Sequence, residues 1–437
     1  MTNDTDDTTP AASNGETTTT TPATHAGLRA HAHDFDTCDP ETDLAADTLP
    51  DDIHDAAVVA LGEGSHGTRE FFRLKHRLLR HLVTEAGVRT FAMEANAPEA
   101  RVLDEYVVHG RGDPEAGLEG LYFWTWQTEE VLGLVEWLRA FNEDRPLDDR
   151  VRFRGFDAQY TQGAVDALLG RFGNDELPAG LLDDLELIGD DGTRPVNDDR
   201  VEERIDAAGR VVPRVRGTVG DSAADDRTRH WIRVIEQVTE RKRTLLDWHA
   251  AADDSAAAAA AMETVLRVRD RAMAENVEWI EGRSEGPVVL WAHDAHINRD
   301  RHALRDAEVA APSLGSHLAE RYGDDYYAVG FAFARGSFQA IDRTGGGNGL
   351  TSFTLDDPLP GTVESVLADA DLGAAMFDLR AGREDPRLRD WLGTRRERFS
   401  LGATYDGDPE SYRTAYPLGQ AFDALCFVPR TTRACPL

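Results

Sequence analysis

The stretch LGEGSHG, residues 61–67, sets a glutamate, a serine and a histidine among glycines just after the apolar run AAVVA. A histidine whose tautomer is held by a carboxylate can take a proton from water, which is the first step of ester or lactone hydrolysis. His66 is the candidate base, with Glu63 or Glu94 holding its ring. Ser65 invites a nucleophile reading, but a GxSxG elbow needs glycine two residues before the serine. Glu63 occupies that position, so Ser65 reads as a spacer. His66 also precedes a helical pattern whose N-terminal amides favour negative charge.

Other apolar runs end in similar chemistry. TFAMEAN delivers Glu94, VRFRGFDAQ delivers Asp157, and PVVLWAHDAH delivers His293 and His296. Each residue alone has a structural explanation as a cap or a solvated loop group; their convergence at successive strand ends is the evidence. His293 or His296 would stabilise an oxyanion or protonate the leaving alcohol. Lys75 falls on the apolar stripe of its helix and needs a buried partner, Glu63 or Glu94. Arg269 and Asn276 lie on or beside the inward stripe of RDRAMAENVEWI and are expected to lean over the same pocket, while Trp124 and Trp126 offer an apolar wall.

The elements that must position these groups are legible from periodicity. The runs AAVVALGE, TFAMEAN, VRFRGFDAQ, PVVLWAHDAH, YYAVGFAFARGSF, AAMFDLR and FDALCFVP are apolar on both faces, as in buried strands of a mainly parallel sheet. TREFFRLKHRLLRHLVTEAG and TEEVLGLVEWLRAFNE carry helical stripes, the second with a capping candidate at Thr128. The class is α/β. Strand signals vanish from about 162 to 284, where a helical insertion is expected between the third and fourth runs. Residues 1–26 are polar and Thr-rich and are expected to be a disordered tail, leaving 27–437 as the catalytic domain.

Composition excludes some partners. A formal charge of −33, from Lys+Arg 47 against Asp+Glu 80, repels nucleic acid and anionic membranes. Only Lys75 and Lys242 are lysines, and carboxylates are dense throughout, a pattern that suits a salt-rich cytoplasm. Cys38, Cys426 and Cys435 show neither a disulfide framework nor a metal spacing. No apolar run approaches the roughly 18 residues of a membrane span, so a cytoplasmic protein is expected.

GEGSHGTREFFRLKHRLLRHLV, FAMEAN, FWTWQTEEVLGLVEWLRAFN, RDRAMAENV, VVLWAHDAHI, LGSHLAERYGDDYYAVGFAFARGSF and FDALCFVPRTTRA, in that order, resemble the erythromycin esterase family. The resemblance covers most of the chain from about residue 40. It implies a three-layer α/β/α core with a helical insertion, a hydrolase that opens a macrolide lactone, and a metal-independent mechanism without cofactor. The GExxH histidine, the family's proposed base, is His66, with Glu63 as the motif glutamate; the WAHNAH motif maps to residues 291–296, giving His293 and His296. Asp294 stands where the family pattern has Asn, beside both histidines. Two alternatives stay open: a metal-dependent hydrolase using the same His/Glu cluster, and a protein that binds a small molecule without turnover.

Overall fold

Val58–Leu61 offers no polar side chain to either face, and it forms a fully buried strand in the middle of a ten-stranded sheet. The computed structural model describes residues 21–45, 48–172, 180–190, 200–220, 222–302, 311–346 and 349–437. In chain order the strands are β1 (Ala32–Asp34), β2 (Val58–Leu61), β3 (Thr90–Asn96), β4 (Arg152–Asp157), β5 (Val288–Trp291), β6 (Tyr326–Asp342), β7 (Leu350–Leu355), β8 (Ala375–Asp378), β9 (Arg395–Phe399), β10 (Thr404–Tyr405), β11 (Arg413–Pro417) and β12 (Ala424–Thr431). The large sheet runs β1, β8, β12, β6, β2, β5, β3, β4, with β7 and β10 added along β6; β9 and β11 form a separate antiparallel pair. From β12 to β4 the neighbours are parallel, while β8, β1 and β7 are antiparallel. The fold is α/β with a mixed sheet.

Alternation along the central strands builds two cores. Val59, Leu61, Phe91 and Met93 pack with Phe72, Leu78 and Leu82 of the helix Arg69–Glu85 and with Leu134 and Leu138 of the helix Glu129–Asn142. Val58, Ala60, Ala92 and Leu290 face the other way, onto Met273, Val277 and Ile280 of the helix Ser255–Glu281. Helices therefore cover both faces. Thr128 caps its helix by accepting the amide of Val131, and Gly87, at φ +70°, follows the end of Arg69–Glu85.

Among the described residues, five helices, Gln162–Phe172, Leu181–Gly189, Val201–Arg216, Ala223–Ala250 and Ser255–Glu281, stand between β4 and β5. The first four share a core of their own through Ala164, Leu168, Leu185, Val211 and Ile235. A bridging cluster of Ala97, Ala158, Val234, Val238 and Ala272 seats this unit on the residues that follow β3 and β4. Most of the loop DDGTRPVNDD lies outside the described residues, as do residues 1–20 of the expected tail. The end of that tail is a correction: Pro22–Ala30 is helical, because Thr21 accepts the amide of Thr24 and proline occupies the first turn. Among the described residues no helix is long and apolar enough to cross a membrane.

Candidate active site

The parallel strands β2, β3, β4 and β5 end on one side of the sheet, and the residues that follow them meet there. β2 leads into Gly62, where a side chain has no room: a Cβ would lie 1.9 Å from Asp294 Oδ1. Gly67 meets the same demand, since its Cβ would lie 1.9 Å from the carbonyl of Gln339. These close approaches press the loop 62–67 against β6 and the residues after β5.

Glu63 is buried and its carboxylate accepts three donors. His66 Nδ1 donates to Oε1 at 2.5 Å, while Lys75 Nζ and Trp291 Nε1, the latter at 2.9 Å, donate to Oε2. Lys75 is fully buried, with its ammonium 3.8 Å from the centre of the Trp291 ring. Burial pulls its pKa down to about 8 against the opposing pull of Glu63, so it is a cation at neutral pH. Burial pushes Glu63 up, but the Lys75 ammonium and the His66 imidazole outweigh it and hold the carboxyl below its usual range. With Nδ1–H given to a carboxylate, His66 keeps its lone pair on Nε2, and the ring lines a cavity of about 460 Å³.

Arg269 lines the same cavity. Its guanidinium donates to Glu94 Oε1 and to Asp157 Oδ2, each at 2.7 Å, and its Nη1 lies 3.0 Å from His296 Nε2. Glu94 sits where the β3–β4 register shifts between Met93 and Asn96, an irregularity that frees its side chain from the regular alternation. Burial raises the Glu94 carboxyl, and His296 and Arg269 bring it below its normal value. His296 Nδ1 donates to Asp270 Oδ1 at 2.9 Å, and Nε2 accepts from Arg269 Nη1 and lies 3.4 Å from Glu94 Oε1. Burial lowers its pKa, but Asp270 and Glu94 outweigh that and raise it above the ordinary histidine value.

His293 is placed differently. It caps the short helix Asp294–Ile297, its Nδ1 accepting the amide of Ala295 at 3.1 Å, and its Nε2 donates to the carbonyl of Leu401 at 3.1 Å. Burial keeps the ring neutral, well below the usual pKa. Both nitrogens are committed to backbone, so His293 packs 4.9 Å from the His66 ring as a wall rather than as an acid or an oxyanion donor.

Several expectations need correction. Lys75 does not reach substrate space; it belongs to Glu63 because its helix points it under the sheet end. Asp157 is fully buried behind Arg269, and Asn276 donates to the carbonyl of Phe156 at 2.9 Å, so both brace β4 and neither lines the cavity. Trp126 does line it, with Nε1 on the Glu94 carbonyl at 3.1 Å, but its neighbours there are Phe123 and Thr125, not Trp124. Glu94 serves Arg269 and the amide of His293, leaving Glu63 alone to orient His66. Ser65 is buried with Oγ accepting the amide of Gly67. Asp294 turns away from the cavity, accepting the amide of Phe331 and, at 2.7 Å, Arg398 Nη2. Burial raises its pKa, with Arg398 opposing.

Sequence reasoning missed Asp270, His302 and Arg398, together with the wall made by Ser400, Gly402, Ala403 and Thr414. A periodic signal existed for Asp270, which fills the gap between Leu266 and Met273 on the inward stripe of its helix. A separate cleft of about 580 Å³ beside Arg77, His81 and Trp137 contains none of the expected site residues.

The erythromycin esterase family pattern matches residues 83–431, most of the chain. The chain belongs to the erythromycin esterase family. Erythromycin esterase type II of Escherichia coli is 27% identical over 349 residues, spanning 72% of this chain and 79% of its own. A putative hydrolase of Bacillus subtilis, YbfO, is 22% identical over 384 residues, spanning 80% and 82%. Among solved structures, a Bacillus cereus protein superimposes with a TM-score of 0.78 at 23% identity, covering 95% of this chain and 98% of that one. An erythromycin esterase mutant, EreC, in its open conformation gives 0.66 at 19% identity, covering 90% and 96%. The erythromycin esterase fold is thus shared across almost the whole chain.

Proposed function

We propose that this protein hydrolyses a carboxylic ester or lactone of macrolide type, using water activated by His66. The observation that carries this reading is the buried chain Lys75–Glu63–His66, which holds the imidazole with Nε2 as the free base at the cavity wall. His66 Nε2 takes a proton from water as the water oxygen attacks the ester carbonyl. Negative charge then develops on the carbonyl oxygen, and the Arg269 guanidinium, which lines the same cavity, is the fixed cation available to stabilise it. The proton that His66 takes from water then passes to the departing alcohol. Phe123, Trp126 and Leu266 give the same cavity an apolar side suited to a large ring.

A metal held directly by the His66 cluster fits less well, because both Glu63 oxygens already accept from His66, Lys75 and Trp291. The test is a screen of macrolides and simple esters in concentrated salt, with and without chelator, read by mass spectrometry. Hydrolysis gives a product heavier by one water. Recovery of every compound unaltered, including those that stabilise the fold, would leave a binding protein instead.

A further inference from the structure

We infer that Asp270, His296 and His302 form a binding site for one divalent transition-metal ion of the zinc or cobalt type, in the wall of the same cavity and separate from the His66 base. The three residues come from three places in the chain: the middle of the helix Ser255–Glu281, the helix Asp294–Ile297, and the segment just after it. Their ligand atoms all lie within 4.8 Å of one another. Asp270 Oδ1 is 2.9 Å from His296 Nδ1 and 3.1 Å from His302 Nε2. Ligands about 2.0–2.1 Å from a tetrahedral zinc ion stand roughly 3.3 Å apart, so small movements would admit an ion.

Hydrogen bonding leaves this cluster incomplete. Asp270 is 0% exposed and His302 5% exposed; Asp270 Oδ2 has no hydrogen-bond partner, and His302 Nε2 meets Asp270 Oδ1 at 3.1 Å as a poorly aligned pair. The approach of Nε2 to Asp270 is close enough for attraction but lacks the geometry of a hydrogen bond. Buried polar atoms without partners cost free energy, and a cation between them removes that cost. Leu314 donates its amide to Asp270 Oδ1 at 2.7 Å, which fixes the carboxylate.

The surroundings favour a dication. Asp270, Glu94 and Asp157 are three buried carboxylates set against Arg269, with Arg241 acting on Asp157 as well. With an ion on Nδ1, the proton of His296 would move to Nε2, and Arg269 Nη1, now 3.0 Å from Nε2, would have to turn toward its carboxylates to leave Nε2 facing Glu94 Oε1 at 3.4 Å. Glu94 would then complete the carboxylate–histidine–metal relay that orients metal-bound imidazoles elsewhere. Two imidazoles and one carboxylate select zinc, cobalt or iron over magnesium and calcium. Because His296 and His302 both line the cavity, the ion would border substrate space.

The test strips the full-length protein with chelator and titrates it with Co²⁺ or Zn²⁺ in concentrated potassium chloride, which suppresses loose binding to the acidic surface. Retained metal is counted after gel filtration, and Co²⁺ is followed by its visible absorption. The expected result is one equivalent retained by the wild type and by His66→Gln, none by His302→Ala or Asp270→Asn, and no retention of Mg²⁺. Circular dichroism checks folding, and if Asp270→Asn does not fold, His302→Ala decides. No retained metal in the wild type, or one equivalent still held by His302→Ala, would overturn the site. Esterase activity plays no part in the readout, so the hydrolase reading stands or falls apart from it.

Discussion

Glu63 and His66 meet at 2.5 Å, and the same carboxylate holds the buried ammonium of Lys75 on its other oxygen. One carboxylate thus fixes the tautomer of the candidate base while an internal cation keeps that carboxylate ionised. The arrangement explains why a chain that uses arginine almost everywhere carries a lysine at this point: a compact ammonium fits against the Trp291 face, where a guanidinium fork would need more room.

Breaking this pair from one side strands a buried charge. Lys75→Met should lower unfolding free energy by about 3–5 kcal/mol, as should other changes that leave one member of a buried ion pair alone. The double variant Glu63→Gln with Lys75→Met should recover most of that loss while remaining inactive. Urea unfolding of the four proteins in a double-mutant cycle measures the coupling; strictly additive losses would contradict the pairing.

Ser65→Ala removes a hydroxyl that accepts the Gly67 amide inside the loop. The expected cost is about 1 kcal/mol of stability, with kcat/KM within a few-fold of wild type. A hydrolysis rate reduced by about a thousandfold or more would restore the serine as nucleophile.

The His296 imidazolium supplies a pH dependence. Its folded pKa is raised above the ordinary 6.5, so its contribution to stability is complete below 6.5 and is lost as pH rises through the folded value. In chelator-treated protein, the stability gap between wild type and Asp270→Asn should therefore be widest below 6.5 and narrow at higher pH. Thermal melts of the two proteins across this pH range check the sign.

Asp294→Asn restores the residue expected from the family pattern but leaves Arg398 with a weaker set of partners, Glu364 at 3.7 Å and the Phe331 carbonyl. A loss of about 1–3 kcal/mol is expected. Because Asp294 faces away from the cavity, KM for any ester substrate should stay within a few-fold of wild type; a large change in KM would place Asp294 in contact with substrate.

Much of the site was legible because strand ends are marked by a change from apolar to ionisable residues. Glu63, Glu94, Asp157 and His293 each follow or end such a run, and the parallel order of β2, β5, β3 and β4 brings them together. What spacing could not convey was which atom each group serves. His293 and His296 are three residues apart, yet one is spent on backbone and the other on carboxylates and Arg269. His302 and the Ser400–Ala403 wall arrive from segments with no local motif, and Arg398 is placed by long-range packing of β9. Periodicity reports the face of an element, and hydrogen bonds across elements decide the rest.

The most direct measurement of the central claim is steady-state hydrolysis by His66→Gln, on a substrate established with the wild type in concentrated salt. Removing a general base of this kind typically costs about 10²–10⁴ in rate. The account predicts a loss in kcat of that size with little change in KM and with metal binding and folding intact; wild-type kcat in His66→Gln would contradict it.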